Sequence, residues 1–139
     1  MKISKEFKWE MGHRLPFHSG KCKNIHGHTY KMRVEIEGDL NENGMVMDYY
    51  DVSEIISPVV DELDHSFMVK DTDKDIIDFL EKLDSKKVVV PFETTAENIT
   101  LFMLGKIKEK ITSDRIKKIK VRVYETEKTY AEDEIVLKF

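Results

Sequence analysis

Apolar residues recur at every second position in four stretches of this chain and at helical spacing in two or three others. Near the N-terminus Ile3, Phe7, Trp9 and Met11 alternate with polar neighbours, the period of a strand with one buried face. Continuing that register places His13 on the same face. Tyr30, Met32, Val34 and Ile36 alternate with Lys31, Arg33, Glu35 and Glu37. The apolar face of this second strand, extended backwards, takes in His28 and His26. Paired as a hairpin, the two strands bring all three imidazoles to the core-facing side. A third strand carries Ile119, Val121 and Val123 in a register that continues to Glu125, and a fourth carries Ile135, Leu137 and Phe139. Residues 39–44 read as a turn, 44–48 as a short extended piece and 87–92 as a short strand.

Val52, Ile55, Ile56, Val59, Val60 and Leu63 follow helical spacing and stop at Asp64-His65. Pro58 inside that run predicts a kink or a freed carbonyl. A more charged helix over 73–83 shows Ile76, Ile77, Leu80 and Leu83 on one side. Thr94-Thr95-Ala96-Glu97 has the form of a capping box, opening a helix through Ile99, Phe102, Met103, Ile107 and Ile111. The order is two strands, two or three helices, then two strands. It predicts an α+β fold with a four-stranded antiparallel sheet, helices packed on one face, and an extra charged helical segment in a ββααββ arrangement. At 139 residues without a linker or repeat, positions 1–139 form one domain.

The densest chemistry is Cys22-Lys23-Asn24-Ile25-His26-Gly27-His28. His26 and His28 share a strand face, and His13 joins them through the hairpin. Three neutral imidazoles make a recurrent catalytic zinc set whose fourth position stays open. Iron(II) held by two histidines and a carboxylate is the competing metal, and a lone core histidine is the plainer alternative for each. His18, in a loop among Phe17, Ser19 and Gly20, reads as an ordinary exposed side chain. Cys22 is either a small buried hydrophobe, a fourth ligand closing a structural site, or a thiol whose thiolate is favoured by Lys21, Lys23 and a nearby cation. A thiolate so placed can take a proton from carbon. Asp64-His65 offers a carboxylate and an imidazole to relay a second proton, or simply ends its helix. Glu125 at the end of a core-facing series lies past the sheet edge or awaits a partner.

Formal net charge is −4, which argues against nonspecific nucleic-acid binding. Between Met11 and Val34 there is no acidic residue, while Arg14, Lys21, Lys23, Lys31 and Arg33 are all cationic. Such a local field suits an anionic small molecule. For Lys31 and Arg33 the plainer reading is a solvated strand surface. The single cysteine excludes an internal disulfide. No run approaches the roughly 18 apolar residues of a membrane span, and no signal-peptide core opens the chain. The expectation is a soluble cytoplasmic protein that binds neither nucleic acid nor membrane.

His13-Arg14-Leu15-Pro16, Cys22-x3-His26-Gly27-His28, Met47-Asp48-Tyr49, Leu63-Asp64-His65, Thr95-Ala96-Glu97-Asn98 and Tyr124-Glu125-Thr126 occur in the order and approximate spacing of the 6-pyruvoyl-tetrahydropterin synthase and 6-carboxytetrahydropterin synthase family. The chain resembles that family over nearly its whole length. The three-residue gap after Cys22 is similar to the carboxytetrahydropterin branch of the 7-deazaguanine (queuosine and archaeosine) pathway. The resemblance implies zinc on His13, His26 and His28, Cys22 as catalytic base, Asp64 and His65 completing the proton-transfer set, Glu125 anchoring the pterin ring, and Thr95 near the pterin. It implies a lyase acting on 7,8-dihydroneopterin triphosphate, the residues 14–23 supplying candidate cations for the triphosphate. It further implies the tunnelling fold, assembled as a homo-hexamer that is a dimer of trimers. Rival readings are a 6-pyruvoyl-tetrahydropterin or 6-hydroxymethyl-dihydropterin product, and a non-enzymatic zinc-stabilised binding module.

Overall fold

The computed structural model describes residues 1–139. Its elements are β1 (Lys2–His13), β2 (His26–Gly38), α1 (Tyr49–Leu63), β3 (Ser66–Lys70), α2 (Lys74–Lys82), β4 (Lys87–Val90), α3 (Ala96–Lys110), β5 (Ile116–Thr126) and β6 (Thr129–Val136), with one 3-10 turn over Lys21–Lys23. The sheet has six strands in the order β4-β3-β1-β2-β5-β6. Pairs β1·β2, β2·β5 and β5·β6 are antiparallel, while β1·β3 and β3·β4 are parallel. The expected four-stranded antiparallel sheet is therefore the right-hand part of a larger mixed one. Residues 66–70 add a strand that the sequence pattern does not announce.

The inner face is built by the alternation read above. Trp9 and Met11 of β1, Tyr30, Met32, Val34 and Ile36 of β2, and Ile119, Val121 and Val123 of β5 are buried against α1 and α3 in one continuous core. Each such side chain contributes on the order of 1.5–3 kcal/mol by leaving water, so the inward register is firmly held. Trp9 and Tyr30 stack across β1 and β2 with ring centroids 5.4 Å apart.

Helices on one face hold for α1 and α3 only. Along β3, Met68 joins the main core, whereas Phe67 and Val69 pack with Ile76, Ile77 and Leu80 of α2. Alternation along a strand then puts α2 on the opposite face of the sheet. Two smaller expectations also change. Residues 44–48 form bends and irregular backbone rather than an extended piece, and β6 ends at Val136, leaving Leu137 and Phe139 beyond it. Pro58 leaves α1 continuous from Tyr49 to Leu63. The missing amide costs only Glu54's carbonyl its partner, and both residues are exposed to solvent. No helix is long and apolar enough to cross a membrane.

Candidate metal and pterin site

Strand pairing brings the three histidines together. His13, the last residue of β1, lies directly opposite His26, the first of β2, and Met11 lies opposite His28. Gly12 faces Gly27 between them. A Cβ on Gly27 would come within 3.0 Å of the Met11 carbonyl oxygen, and one on Gly12 within 2.9 Å of the Phe67 ring. The two glycines thus let the strand ends approach closely where the imidazoles converge. One ring nitrogen from each of His13, His26 and His28 falls within 4.8 Å of the others. The Tyr30 ring closes the floor, 5.6 Å from His28 and 6.2 Å from His13 between centroids.

The donor set fits a metal ion. His13 is fully buried, and its Nδ1 lies 2.8 Å from the carbonyl oxygen of Thr94 and 3.1 Å from the Thr94 hydroxyl. A carbonyl only accepts, so Nδ1 carries the proton and the neutral ring presents a lone pair at Nε2. His26 repeats the arrangement, with Nδ1 donating to the Asn24 carbonyl at 2.7 Å. A carbonyl that accepts from the far ring nitrogen and so fixes the tautomer is the usual companion of a ligating histidine. Nε2 of His13 and of His28 are buried without a hydrogen-bond partner. Burial, followed by the neighbouring imidazoles and opposed by Glu125, holds the His28 pKa below its ordinary value. That favours the neutral ring a metal needs.

Glu125 finds the partner its register demanded. Tyr124 pairs with Tyr130 and Thr126 with Thr129, so Glu125 is the extra residue of a β-bulge. Its Oε1 lies 3.1 Å from His13 Nε2 and 3.3 Å from His28 Nε2. The contact with His13, then the charge of His28, keeps the carboxyl pKa below the usual glutamate value against the effect of burial. The His13 Nε2 lone pair facing a carboxylate oxygen at 3.1 Å calls for a shared proton or cation.

Asp64 and His65 dock together on β1. The Glu10 amide donates to Asp64 Oδ1 at 2.8 Å, and the His65 amide donates to the Glu10 carbonyl at 2.7 Å. Asp64 Oδ2 lies 2.9 Å from His65 Nδ1, orienting a ring whose side chain is 77% exposed. The Glu10 amide and the His65 contact hold Asp64 below its ordinary pKa. His65 has φ 60, in the left-handed region. An open cleft of about 490 Å³ is lined by both His65 and His28, with Gly12, Gly27 and Thr29.

Cys22 lies half-buried in the 3-10 turn and makes no disulfide. It stands outside the group of converging ligand atoms. Leu15 holds the turn, its amide donating to the Cys22 carbonyl at 2.8 Å. Thr95 is the N-cap of α3, accepting from the Asn98 amide at 3.2 Å. The cap is therefore one residue later than the capping-box pattern suggests, which frees Thr94 for His13. Arg14, among the candidate triphosphate cations, is engaged by Asp73 through Nε and Nη2 at 2.8 and 2.7 Å. Thr94, Asn24 and Glu10 are the positioning groups that sequence reasoning missed. Asn24 and Glu10 act through backbone atoms, for which residue type gives no signal, and Thr94 acts through its carbonyl together with a hydroxyl that the misassigned cap accounted for.

Comparison with known proteins agrees with this geometry. A family profile described as 6-pyruvoyl tetrahydropterin synthase matches residues 2–134. The chain is 42% identical to the 6-carboxy-5,6,7,8-tetrahydropterin synthase of Haemophilus influenzae, covering 94% of this chain and 96% of that one. It is 41% identical to a putative 6-carboxy-5,6,7,8-tetrahydropterin synthase of Pyrococcus horikoshii, over 93% of this chain and 85% of the relative. The fold is similar to that of Plasmodium falciparum 6-pyruvoyl tetrahydropterin synthase, with a TM-score of 0.79 at 18% identity, covering 99% of this chain and 98% of that one. With the motifs in order, three imidazoles converging and a near full-length match, the chain belongs to the 6-pyruvoyl tetrahydropterin synthase family.

Proposed function

We propose that the chain is a cytoplasmic zinc-dependent lyase that converts 7,8-dihydroneopterin triphosphate and one water to 6-carboxy-5,6,7,8-tetrahydropterin, releasing triphosphate and acetaldehyde. The observation that carries the chemistry is the convergence of His13, His26 and His28, two of them tautomer-fixed by backbone carbonyls. The name borne by the Haemophilus influenzae relative supports the carboxy branch. Zinc on the three histidines would polarise the hydroxyls of the substrate's side chain and acidify the adjacent C–H bonds.

The remaining roles belong to protein groups. Cys22 accepts a proton from carbon, and its position outside the imidazole cluster supports a base rather than a fourth ligand. His65, held through Nδ1 by Asp64, leaves Nε2 free to move a second proton. Glu125 accepts the pterin ring N–H and 2-amino group together, a bidentate pairing that suits a carboxylate. The Thr95 hydroxyl, already accepting from Asn98, keeps its own proton to donate to the ring. Lys21 and Lys23 remain as cations for the triphosphate.

Strands β4 and β6 each keep an unpaired edge, and Phe17 and Ile25 are exposed beside the Cys22 turn. Both features support assembly, which we take to be a homo-hexamer built as a dimer of trimers. Sedimentation that gives only monomer would overturn that assignment.

The deciding experiment is product analysis after incubation with 7,8-dihydroneopterin triphosphate, with and without chelator. Acetaldehyde plus the carboxy product, both abolished by chelator, is the expected result. Formation of 6-pyruvoyl-tetrahydropterin without acetaldehyde would assign the other branch, and untouched substrate would refute the lyase. A Cys22→Ala variant should retain zinc while turnover falls about 10²–10⁴-fold. Loss of zinc together with unfolding would instead favour a structural site.

A further inference from the structure

Segment 66–93 carries a carboxylate whose placement the fold alone does not explain. Asp73 is the N-cap residue of α2, yet its side chain makes no capping hydrogen bond to that helix. Aspartate at this position ordinarily accepts from an amide of the first turn. Here both its oxygens take the Arg14 guanidinium instead, Oδ2 from Nε at 2.8 Å and Oδ1 from Nη2 at 2.7 Å. The Asp73 side chain is 8% exposed and that of Arg14 27%. A fork-shaped, largely shielded pair of this kind is directional and weakly screened by salt.

The pair closes a ring around the first histidine. The Asp73 amide donates to the Lys70 carbonyl at 2.9 Å, and Lys70 Nζ donates to Glu93 Oε1 at 3.0 Å. Glu93 precedes Thr94, whose carbonyl accepts from His13 Nδ1 at 2.8 Å. His13 in turn precedes Arg14. One residue further, Leu15 binds the Cys22 turn through its amide. Arg14 is therefore the single residue between the histidine and the segment that holds the cysteine.

We propose that Asp73 and Arg14 are positioning residues: their ion pair fixes the chain leaving β1, and so registers the Cys22 turn against His13. Segment 66–93 thereby acts as a buttress for the site. Arg14, being spent on this contact, is not a triphosphate ligand. The catalytic value of the registration rests on the reaction proposed above, whereas the registration itself is read without substrate.

The readout is the alkylation rate of Cys22 by iodoacetamide, which reports one site because the chain has one cysteine. In the full-length folded protein Asp73→Asn keeps the Arg14 cation but removes its anchor. Cys22 should then alkylate about tenfold faster, with far-UV circular dichroism unchanged and kcat lowered at nearly constant KM. The charge-swapped pair Arg14→Asp with Asp73→Arg should restore much of the wild-type rate. If Asp73→Asn fails to fold, Arg14→Lys keeps the charge and loses the fork, and should accelerate alkylation to a smaller degree. Wild-type alkylation in a folded variant lacking the fork overturns the proposal. So does a raised KM in Arg14→Lys with alkylation unchanged, which would make Arg14 a substrate contact. If the substrate is not turned over at all but alkylation responds as stated, the reaction assignment fails and the buttress stands.

Discussion

The two faces of the sheet across β1, β2 and β5 satisfy their polar groups in different ways. On the outer face charges meet opposite charges row by row. Glu37 lies 3.4 Å from Lys118, Glu35 lies 3.5 Å from Lys2 and 3.6 Å from Lys120, Glu6 lies 3.2 Å from Arg33, and Glu132 lies 2.8 Å from Arg122. One row breaks the pattern, where Lys8 faces Lys31 and Lys31 sits 4.4 Å from the Tyr124 ring centroid. On the inner face the same strands bury apolar side chains until their last turn. There His13 Nε2, His28 Nε2 and the Tyr30 hydroxyl are buried with no hydrogen-bond partner. Burial pushes the Tyr30 hydroxyl pKa well above its ordinary value. Leaving a buried polar group unpaired costs about 1–3 kcal/mol; Trp9 Nε1 on the inner face and Arg33 Nε and Glu35 Oε2 on the outer face are single instances, whereas the strand end gathers three such atoms among touching rings. The clustering of unsatisfied polar atoms, more than charge density, marks the candidate site.

The largest test of that contrast is His13→Ala. It removes the only fully buried imidazole and orphans the Thr94 carbonyl. Metal analysis after dialysis should find no bound ion and turnover should drop to background, whereas an unchanged metal content would dissolve the distinction between the faces. Next, Glu125→Gln keeps the shape but loses the charge beside the imidazoles. With metal retained, kcat/KM for the pterin should fall about 10- to 100-fold, the worth of a hydrogen bond to a charged acceptor. An undiminished kcat/KM would mean that Glu125 serves only the histidines.

A smaller effect concerns Asp64. Its carboxyl pKa is depressed below the ordinary 3.8 by the Glu10 amide and then by His65. A group lowered in the folded state stabilises above its unfolded value, and that contribution is lost as pH falls through the lower native value. The Tm difference between the wild type and Asp64→Asn should therefore be constant near neutrality and narrow below about pH 4. A gap independent of pH down to strong acid would contradict the hydrogen-bonded assignment. The smallest effect is expected on the outer face. Lys120→Met, removing a lysine that touches Glu35, Glu132 and Glu134, should change unfolding free energy by less than about 1 kcal/mol. A larger loss in denaturant melts would give that ladder a structural weight the comparison denies it.

The histidine end was legible because a two-residue period can be extended past the last apolar residue. The same extension found Glu125, although only the structure reveals the bulge that aims it. Strand β3 was opaque for the opposite reason, although α2 and β4 beside it follow the patterns read in the sequence. Phe67 and Val69 serve α2 while Met68 serves the main core, so the strand is covered on both sides and its apolar run carries no alternation. Parallel pairing with β1 also leaves no turn signal between neighbours. Asn24 escaped because a backbone carbonyl looks the same in every residue, and the one-residue shift of the α3 cap hid the Thr94 hydroxyl and carbonyl behind a familiar pattern.

His65 places an imidazole on a backbone at φ 60, where a side chain beyond glycine costs about 1 kcal/mol. Its amide bond to Glu10 would survive replacement by glycine. Laboratory selection for heat tolerance alone should therefore drift toward His65→Gly, keeping the fold and discarding the ring. If His65 carries the proposed proton transfer, glycine at this one position in a related chain would signal retirement from catalysis, visible in a sequence long before the rest of the site decays.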